Sequence, residues 1–264
     1  MNEIHETALV DPEAQIADDV EIGPYSIVGP MVTIGPGSWI GPHVVLTGRT
    51  TIGRNTRIFQ FASIGEEPQD KKYNNEDTEL IIGDNNTIRE SCTFSRGSAQ
   101  GGGKTVIGNN NWIMACVHIA HDCHLGDNII MANNTSLAGH VTVGDWAILS
   151  GYSLIHQFCT VGEHSLTSFA SFVNQSIPPY VTVSGEKAKA RGVNIEGLKR
   201  RGYSREQIQN VRRAYRILYR SGLPLEEAKQ QLLEMSKEHL EIKPWVDFLD
   251  ITDKSFITDK SSIL

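Results

Sequence analysis

Aliphatic side chains recur at every sixth position from the start of the chain: Ile4, Val10, Ile16, Ile22, Val28, Ile34, Ile40, Leu46, Ile52, Ile58 and Ile64. The register lapses, returns at Ile82, Ile88 and Phe94, lapses again, and then runs from Ile107 to Val173 with Thr167 as the one polar member. Glycine follows the aliphatic residue in many hexads, among them Gly23, Gly35, Gly53, Gly83, Gly108, Gly126, Gly144 and Gly162. A period of six is neither the 3.6 of a helix nor the plain alternation of a lone strand. It fits a short strand plus a corner, repeated, with three such units closing a coil of about eighteen residues and the aliphatic position pointing inward. Corners of this kind favour Gly and Asn, which tolerate positive φ.

This pattern resembles the hexapeptide repeat of left-handed parallel β-helices, a departure from the usual right-handed crossover. The expected fold is therefore an all-β left-handed parallel β-helix over residues 1–184, followed by a small C-terminal α-helical domain over 185–264. The two lapses, about 66–81 and 95–106, are polar and predict loops extruded from the prism, where ligand contacts commonly gather. After Pro178-Pro179 the periodicity becomes helical. Ser204 with Gln207 predicts a capping box ahead of the stripe Ile208, Val211, Tyr215, Leu218 and Tyr219. Pro224 predicts the start of a second helix, and Trp245, Phe248 and Leu249 predict a third.

Composition narrows the function. The chain has 264 residues, 39% apolar and only 7% aromatic, with 24 Gly, which suits many thin repeated layers better than one bulky core. The 4 cysteines form no CxxC pair, and the opening Met-Asn-Glu-Ile-His-Glu lacks a charged-then-apolar leader, so a cytoplasmic protein without disulfides is expected. No apolar run is long enough to span a membrane. The net charge of −7 conceals a basic segment, residues 186–222, that includes Lys199, Arg200, Arg201, Arg205, Arg212 and Arg213. A basic patch on an acidic body favours a specific anionic partner over general nucleic-acid binding.

The chemistry concentrates in the last coils, which carry His118, His121, His124, His140, His156 and His164. Residues eighteen apart stack directly, so Asp122 lies beneath His140, and His121 lies beneath Gly139, which lies beneath Gln157. That column brings together a base, a carboxylate and a backbone N–H with no side chain, the parts of a general-base attack with oxyanion stabilisation. Two other readings compete: a zinc site of the gamma carbonic anhydrase kind on His118-x-x-His121-x-x-His124, and surface imidazoles on a non-catalytic scaffold. His118 and His124 fall on adjacent faces and point apart, which disfavours the zinc site within one chain. Cys92, Cys123 and Cys159 hold the small buried hexad position, and nothing marks Cys116 as activated.

Several motifs carry a closer resemblance: Ala62-Ser63-Ile64-Gly65 with Pro68-Gln69-Asp70-x-Lys72-Tyr73, Arg96-Gly97-x-x-x-Gly101-Gly102-Gly103, Ile119-Ala120-His121-Asp122-Cys123, Leu137-Ala138-Gly139-His140-Val141, His156-Gln157-Phe158, and the stretch from Gly192 to Gly202. Together they resemble the acyl-carrier-protein:UDP-N-acetylglucosamine O-acyltransferases that begin lipid A synthesis. The resemblance implies transfer of an (R)-3-hydroxyacyl group from acyl carrier protein to the glucosamine 3-hydroxyl of UDP-N-acetylglucosamine, by a homotrimer with sites between neighbouring prisms. It implies neither metal nor bound cofactor, since 4'-phosphopantetheine arrives on the carrier protein. His121 would be the general base, Asp122 its orienting partner and the Gly139 N–H the oxyanion donor. Gln69, Asp70 and His118 would serve the acceptor sugar, Lys72 would be a further substrate contact, and His140, His156, Gln157, Asn194, Glu196, Arg200 and Arg201 would line the pantetheine or nucleotide regions.

The chain departs from the family pattern at two places. Ser95-Arg96-Gly97 stands where His-Arg-Gly is usual. Phe169, with Leu166 close by in sequence, stands at the acyl-length stop, where a Gly in some relatives admits a long chain, so a shortened acyl chain is expected.

Overall fold

The computed structural model describes residues 3–251 together with Phe256 and Ile257. Short strands, mostly of two residues, stack into three sheets of 11, 9 and 8 strands. Apart from one antiparallel pair at the C-terminal end, neighbours within each sheet are parallel and one coil apart: Ile4 pairs with Ile22, Val10 with Val28, and Ile16 with Ile34. At the two excursions the register advances further, from Ile64 to Phe94 and from Phe94 to Ile119, and then returns to eighteen with Ile119 opposite Leu137. The chain is thus a left-handed parallel β-helix of hexapeptide repeats with a small helical region at its C-terminal end.

The inward column is dry. Ile34, Ile40, Leu46, Ile58, Ile64, Ile119 and Leu149 are fully buried, each contributing about 1.5–3 kcal/mol of apolar burial. The first coil is the exception, with Ile4 43% exposed and Val10 and Ile16 only partly buried, because that coil is stacked on one side only among the described residues. Thr167, the polar member of the register, is also fully buried, and its hydroxyl accepts the Ser150 N–H at 3.0 Å and bonds Ser153 Oγ at 2.6 Å. A core hydroxyl is tolerated there because it is satisfied.

The corners and the hexad glycines divide the work differently from the expectation. Positive φ is carried by the corner residues, which include Asn55, Asn110 and Asn128 but also Asp122 (φ 61), His140 (φ 61) and Phe158 (φ 64). Most of the glycines that follow the aliphatic position, Gly29 and the positive-φ Gly65 aside, are needed for close approach instead. A Cβ on Gly35 would lie 2.7 Å from the Gly53 carbonyl carbon, and one on Gly53 would lie 2.5 Å from that of Gly83. Glycine stacks on glycine where two coils touch backbone to backbone.

The excursions are shorter than the sequence suggests, because strands Ser63–Glu66, Glu79–Ile82, Thr93–Ser95 and Lys104–Ile107 run into them. The loops proper are 67–78 and 96–103. Beyond the last coil, Val181–Ser184 pairs antiparallel with Lys189–Val193, so the sheet extends to Val193. Among the described residues four α-helices follow: α1 (Ile195–Arg200), α2 (Arg205–Arg220), α3 (Leu225–Ser236) and α4 (Lys243–Ile251). The expected capping box at Ser204 and Gln207 is present. α1 was not legible from periodicity, being too short to show one. No helix among the described residues is long and apolar enough to cross a membrane.

Prism and helices are locked by a buried imidazole. His164 Nδ1 accepts a hydrogen bond from Arg201 Nη1 at 3.0 Å, which leaves Nε2 to donate to the Tyr203 hydroxyl at 3.2 Å. Arg201 also donates to the Trp146 carbonyl at 2.6 Å, and Asn194 Nδ2 donates to the His164 carbonyl at 3.0 Å. Burial, reinforced by the Arg201 charge, pushes the His164 imidazole down to about 4. The unfolded chain therefore takes up a proton near pH 6.5 that the folded chain refuses until about pH 4. Stability against urea is expected to fall as pH drops through that window, and His164→Gln should flatten part of the slope.

Candidate active site

Three successive corners build the site. Strand His118–Ile119 leads to the corner holding His121 and Asp122, strand Ser136–Leu137 to Gly139 and His140, and strand Leu154–Ile155 to Gln157 and Phe158. Backbone bonds clamp them together: the His140 N–H donates to the His121 carbonyl at 3.0 Å, and the Phe158 N–H to the Gly139 carbonyl at 3.2 Å.

Asp122 is the anchor. Its side chain is 0% exposed, and Oδ2 lies 2.7 Å from His121 Nδ1. Ser98 adds two donors, its N–H to Oδ1 at 2.8 Å and its hydroxyl to Oδ2 at 2.6 Å. The Asp122 N–H in turn donates to Thr105 Oγ1 at 2.8 Å. A carboxylate accepting from Ser98 in both places stays an acceptor toward His121, so Nδ1 carries the hydrogen and Nε2 keeps a lone pair. That lone pair faces the next corner. A Cβ on Gly139 would stand 2.7 Å from His121 Cε1 and 2.9 Å from Nε2, so glycine is required by space. The Gly139 N–H has no hydrogen-bond partner among the described residues.

His140 packs its edge against His121, with centroids 5.2 Å apart at 88°, and stacks on Phe158 at 4.5 Å. Burial lowers its pKa, opposed by the negative charges of Asp122 and Asp70. That influence brings Asp70, on the first excursion, within electrostatic reach of the site. His118 bonds Thr93 Oγ1 through Nδ1 at 2.8 Å, and burial keeps it below the ordinary imidazole value. His118 and His124 stand on different sheets, as the stacking predicts. Donor atoms of His121, Asp122 and His140 do lie within 4.8 Å of one another. The Asp122 oxygens are already engaged by Ser98 and His121, so the trio forms a hydrogen-bonded dyad with a neighbour rather than an open donor set.

The remaining candidates are distributed around this centre. Gln69 and Lys72 are exposed on the first excursion, where the Lys72 N–H donates to Asp70 Oδ1 at 3.0 Å. Arg96 ties the two excursions together by donating to the Gly65 carbonyl at 2.9 Å and to the Tyr73 hydroxyl at 2.9 and 3.1 Å. Ser95 is buried in the sheet opposite Glu66. His156 and Gln157 are exposed, as is Arg200. Asn194 is buried and caps α1 by accepting the Gly197 N–H at 3.0 Å, and Arg201 belongs to the His164 lock. Glu196 pairs with Lys199 at 2.7 Å, which lowers its pKa. Leu166, Asn194 and Glu196 share an open groove of about 780 Å³ with Lys199, Arg205 and Arg212. Phe169 is 69% exposed and meets Tyr152 edge-on at 5.5 Å.

Burial pushes the thiols of Cys92 and Cys123 up to about 12 and that of Cys159 to about 11, which leaves them protonated at neutral pH. Sequence reasoning missed Ser98, which reaches Asp122 from an excursion, Thr105, which accepts the Asp122 N–H from the preceding coil, and the His164 lock, which spans more than thirty residues.

Known proteins share this architecture from end to end. The family model described as domain 2 of UDP N-acetylglucosamine O-acyltransferase matches residues 177–257, and bacterial transferase hexapeptide repeats match 3–36 and 104–139. The acyl-[acyl-carrier-protein]–UDP-N-acetylglucosamine O-acyltransferase of Herminiimonas arsenicoxydans is 56% identical over 93% of this chain and 94% of its own. That of Thiobacillus denitrificans is 55% identical over 97% and 100%. Among solved structures, the UDP-N-acetylglucosamine acyltransferase of Francisella novicida superposes with a TM-score of 0.96 at 42% identity, covering 98% of this chain and 95% of that one. LpxA from Acinetobacter baumannii gives 0.93 at 47% identity, covering 96% and 99%. With the repeats, the helical end and the full length all matched, the chain belongs to the acyl-[acyl-carrier-protein]–UDP-N-acetylglucosamine O-acyltransferase family and is an O-acyltransferase.

Proposed function

We propose that the chain transfers an (R)-3-hydroxyacyl group from acyl carrier protein to the glucosamine 3-hydroxyl of UDP-N-acetylglucosamine, the first step of lipid A biosynthesis, as a cytoplasmic homotrimer. The observation that carries this reading is the His121–Asp122 pair with its free Nε2 turned toward Gly139.

His121 Nε2 takes the proton of the sugar 3-hydroxyl as its oxygen attacks the thioester carbonyl. The imidazolium so formed is stabilised by the buried Asp122 carboxylate, and the Gly139 N–H donates to the oxyanion. Collapse breaks the carbon–sulfur bond, and the pantetheine thiolate leaves with the proton that His121 had taken. No enzyme-bound acyl group forms. Asp70, His118, Gln69 and Lys72 lie on the acceptor side of this scheme, and His140 walls the base. The groove rimmed by Lys199, Arg205 and Arg212, near Asn194 and Glu196, suits a diphosphate and an acidic carrier protein, with His156, Gln157, Arg200 and Arg201 as further contacts.

His121→Ala should lower kcat roughly 10²- to 10⁴-fold with the fold retained, measured by product mass from a hydroxyacyl carrier protein and UDP-N-acetylglucosamine. Near-wild-type turnover by folded His121→Ala would sink the mechanism. Gly139→Ala forces the imidazole aside and should cost about 10²-fold in kcat, with little change in thermal midpoint. For chain length, Phe169→Gly removes the exposed ring and should shift preference toward longer hydroxyacyl donors in a competition among carrier proteins of graded acyl length.

A further inference from the structure

The second excursion is built around one residue that faces away from solvent and onto Asp122. The Ser98 carbonyl accepts the N–H groups of Gly101 at 3.1 Å and Gly103 at 2.8 Å, and the Gly97 N–H donates to the Glu79 carbonyl at 3.1 Å. Gly102 (φ 94) and Gly103 (φ 81) turn the loop back through left-handed conformations, with open space beside them. Gly101 serves a different end, because a Cβ there would lie 2.0 Å from Asp122 Cγ. The three consecutive glycines thus close the loop tightly enough to lay the Ser98 donors on a fully buried carboxylate. Without them Asp122 would keep His121 as its nearest side-chain donor, with His140 Nε2 farther off at 3.7 Å.

We propose that Ser98 is a positioning residue for the transfer reaction: its hydroxyl, held by the glycine loop, fixes the Asp122 carboxylate so that Oδ2 meets His121 Nδ1 and Nε2 stays the free base. The kinetic part of this inference rests on the function proposed above, whereas its structural part does not. Two donors on one carboxylate settle its rotamer and keep it an acceptor toward His121. A lone backbone N–H leaves Oδ2 free to turn from His121, and the imidazole then loses the partner that selects its tautomer.

The test combines Ser98→Ala, Ser98→Cys and Ser98→Thr in the full chain. In ¹⁵N-histidine NMR without substrate, the His121 Nδ1–H signal of the wild type should be lost or displaced in the alanine and cysteine variants and restored by threonine, which keeps the hydroxyl. In turnover, Ser98→Ala should lower kcat roughly ten- to hundredfold, as a charge-assisted hydrogen bond is worth, with KM for the acceptor nearly unchanged. In an Asp122→Asn background the same substitution should have little further effect on turnover. An unchanged histidine spectrum in Ser98→Ala or Ser98→Cys overturns the proposal whatever the substrate is. So does an undiminished cost of Ser98→Ala in the Asp122→Asn background. Failure of the wild type to acylate UDP-N-acetylglucosamine, with the spectra behaving as expected, would instead count against the proposed substrate.

Discussion

The structure depends on one constraint: each coil hydrogen-bonds to the next in fixed register, so the residue at a given place in one turn lies on the residue at that place in the next. Inside, this stacks aliphatic side chains into a continuous dry column. At the corners it stacks whatever the sequence supplies, and in the last coils that is Asp122, His140 and Phe158 on one line and His121, Gly139 and Gln157 on the other. The His121 imidazole and the Gly139 N–H, unbonded among the described residues, are thereby held at a spacing set by backbone pairing. Rigid placement of this kind suits the direct transfer proposed above, which would store no intermediate and rely on alignment.

The excursions relax the constraint where chemistry needs more than a coil can offer. A pure hexad corner could place Asp122 beside His121 but could not bury its carboxylate under donors from outside the stack. Loop 96–103 does so with the N–H and hydroxyl of Ser98 and the close-packed Gly101, while Thr105 on strand Lys104–Ile107 accepts the Asp122 backbone N–H. Loop 67–78 is joined to it through Arg96 and Tyr73 and carries Asp70 toward the same site. The two insertions therefore act as one wall. At the other end, His164 and Arg201 join the helical region to the prism, so the basic residues of α1 and α2 keep a fixed relation to the last coils.

What could be read from sequence follows the same division. Residues eighteen apart are neighbours wherever the register is unbroken, so the placement of His121 under Gly139 and the separation of His118 from His124 followed from counting. Counting fails across an excursion, because the offset from Phe94 to Ile119 differs from that between uninterrupted coils, and a loop residue has no offset at all. Ser98 was invisible for that reason, although the glycine run beside it marked a tight turn. The hexad glycines stand out in the sequence, but the cause for most of them, coil-to-coil approach, shows only once the coils are stacked. The His164 lock joins a corner to a helix end and has no periodic signature.

The central claim is that the register places His121 as the base against the acceptor hydroxyl, with Gly139 at the carbonyl. A crystal structure of the enzyme with its acylated nucleotide-sugar product tests it most directly. The account predicts the sugar 3-oxygen within about 3.2 Å of His121 Nε2 and the ester carbonyl directed at the Gly139 N–H. A product bound with its 3-oxygen far from His121, in contact with a different base, would contradict it.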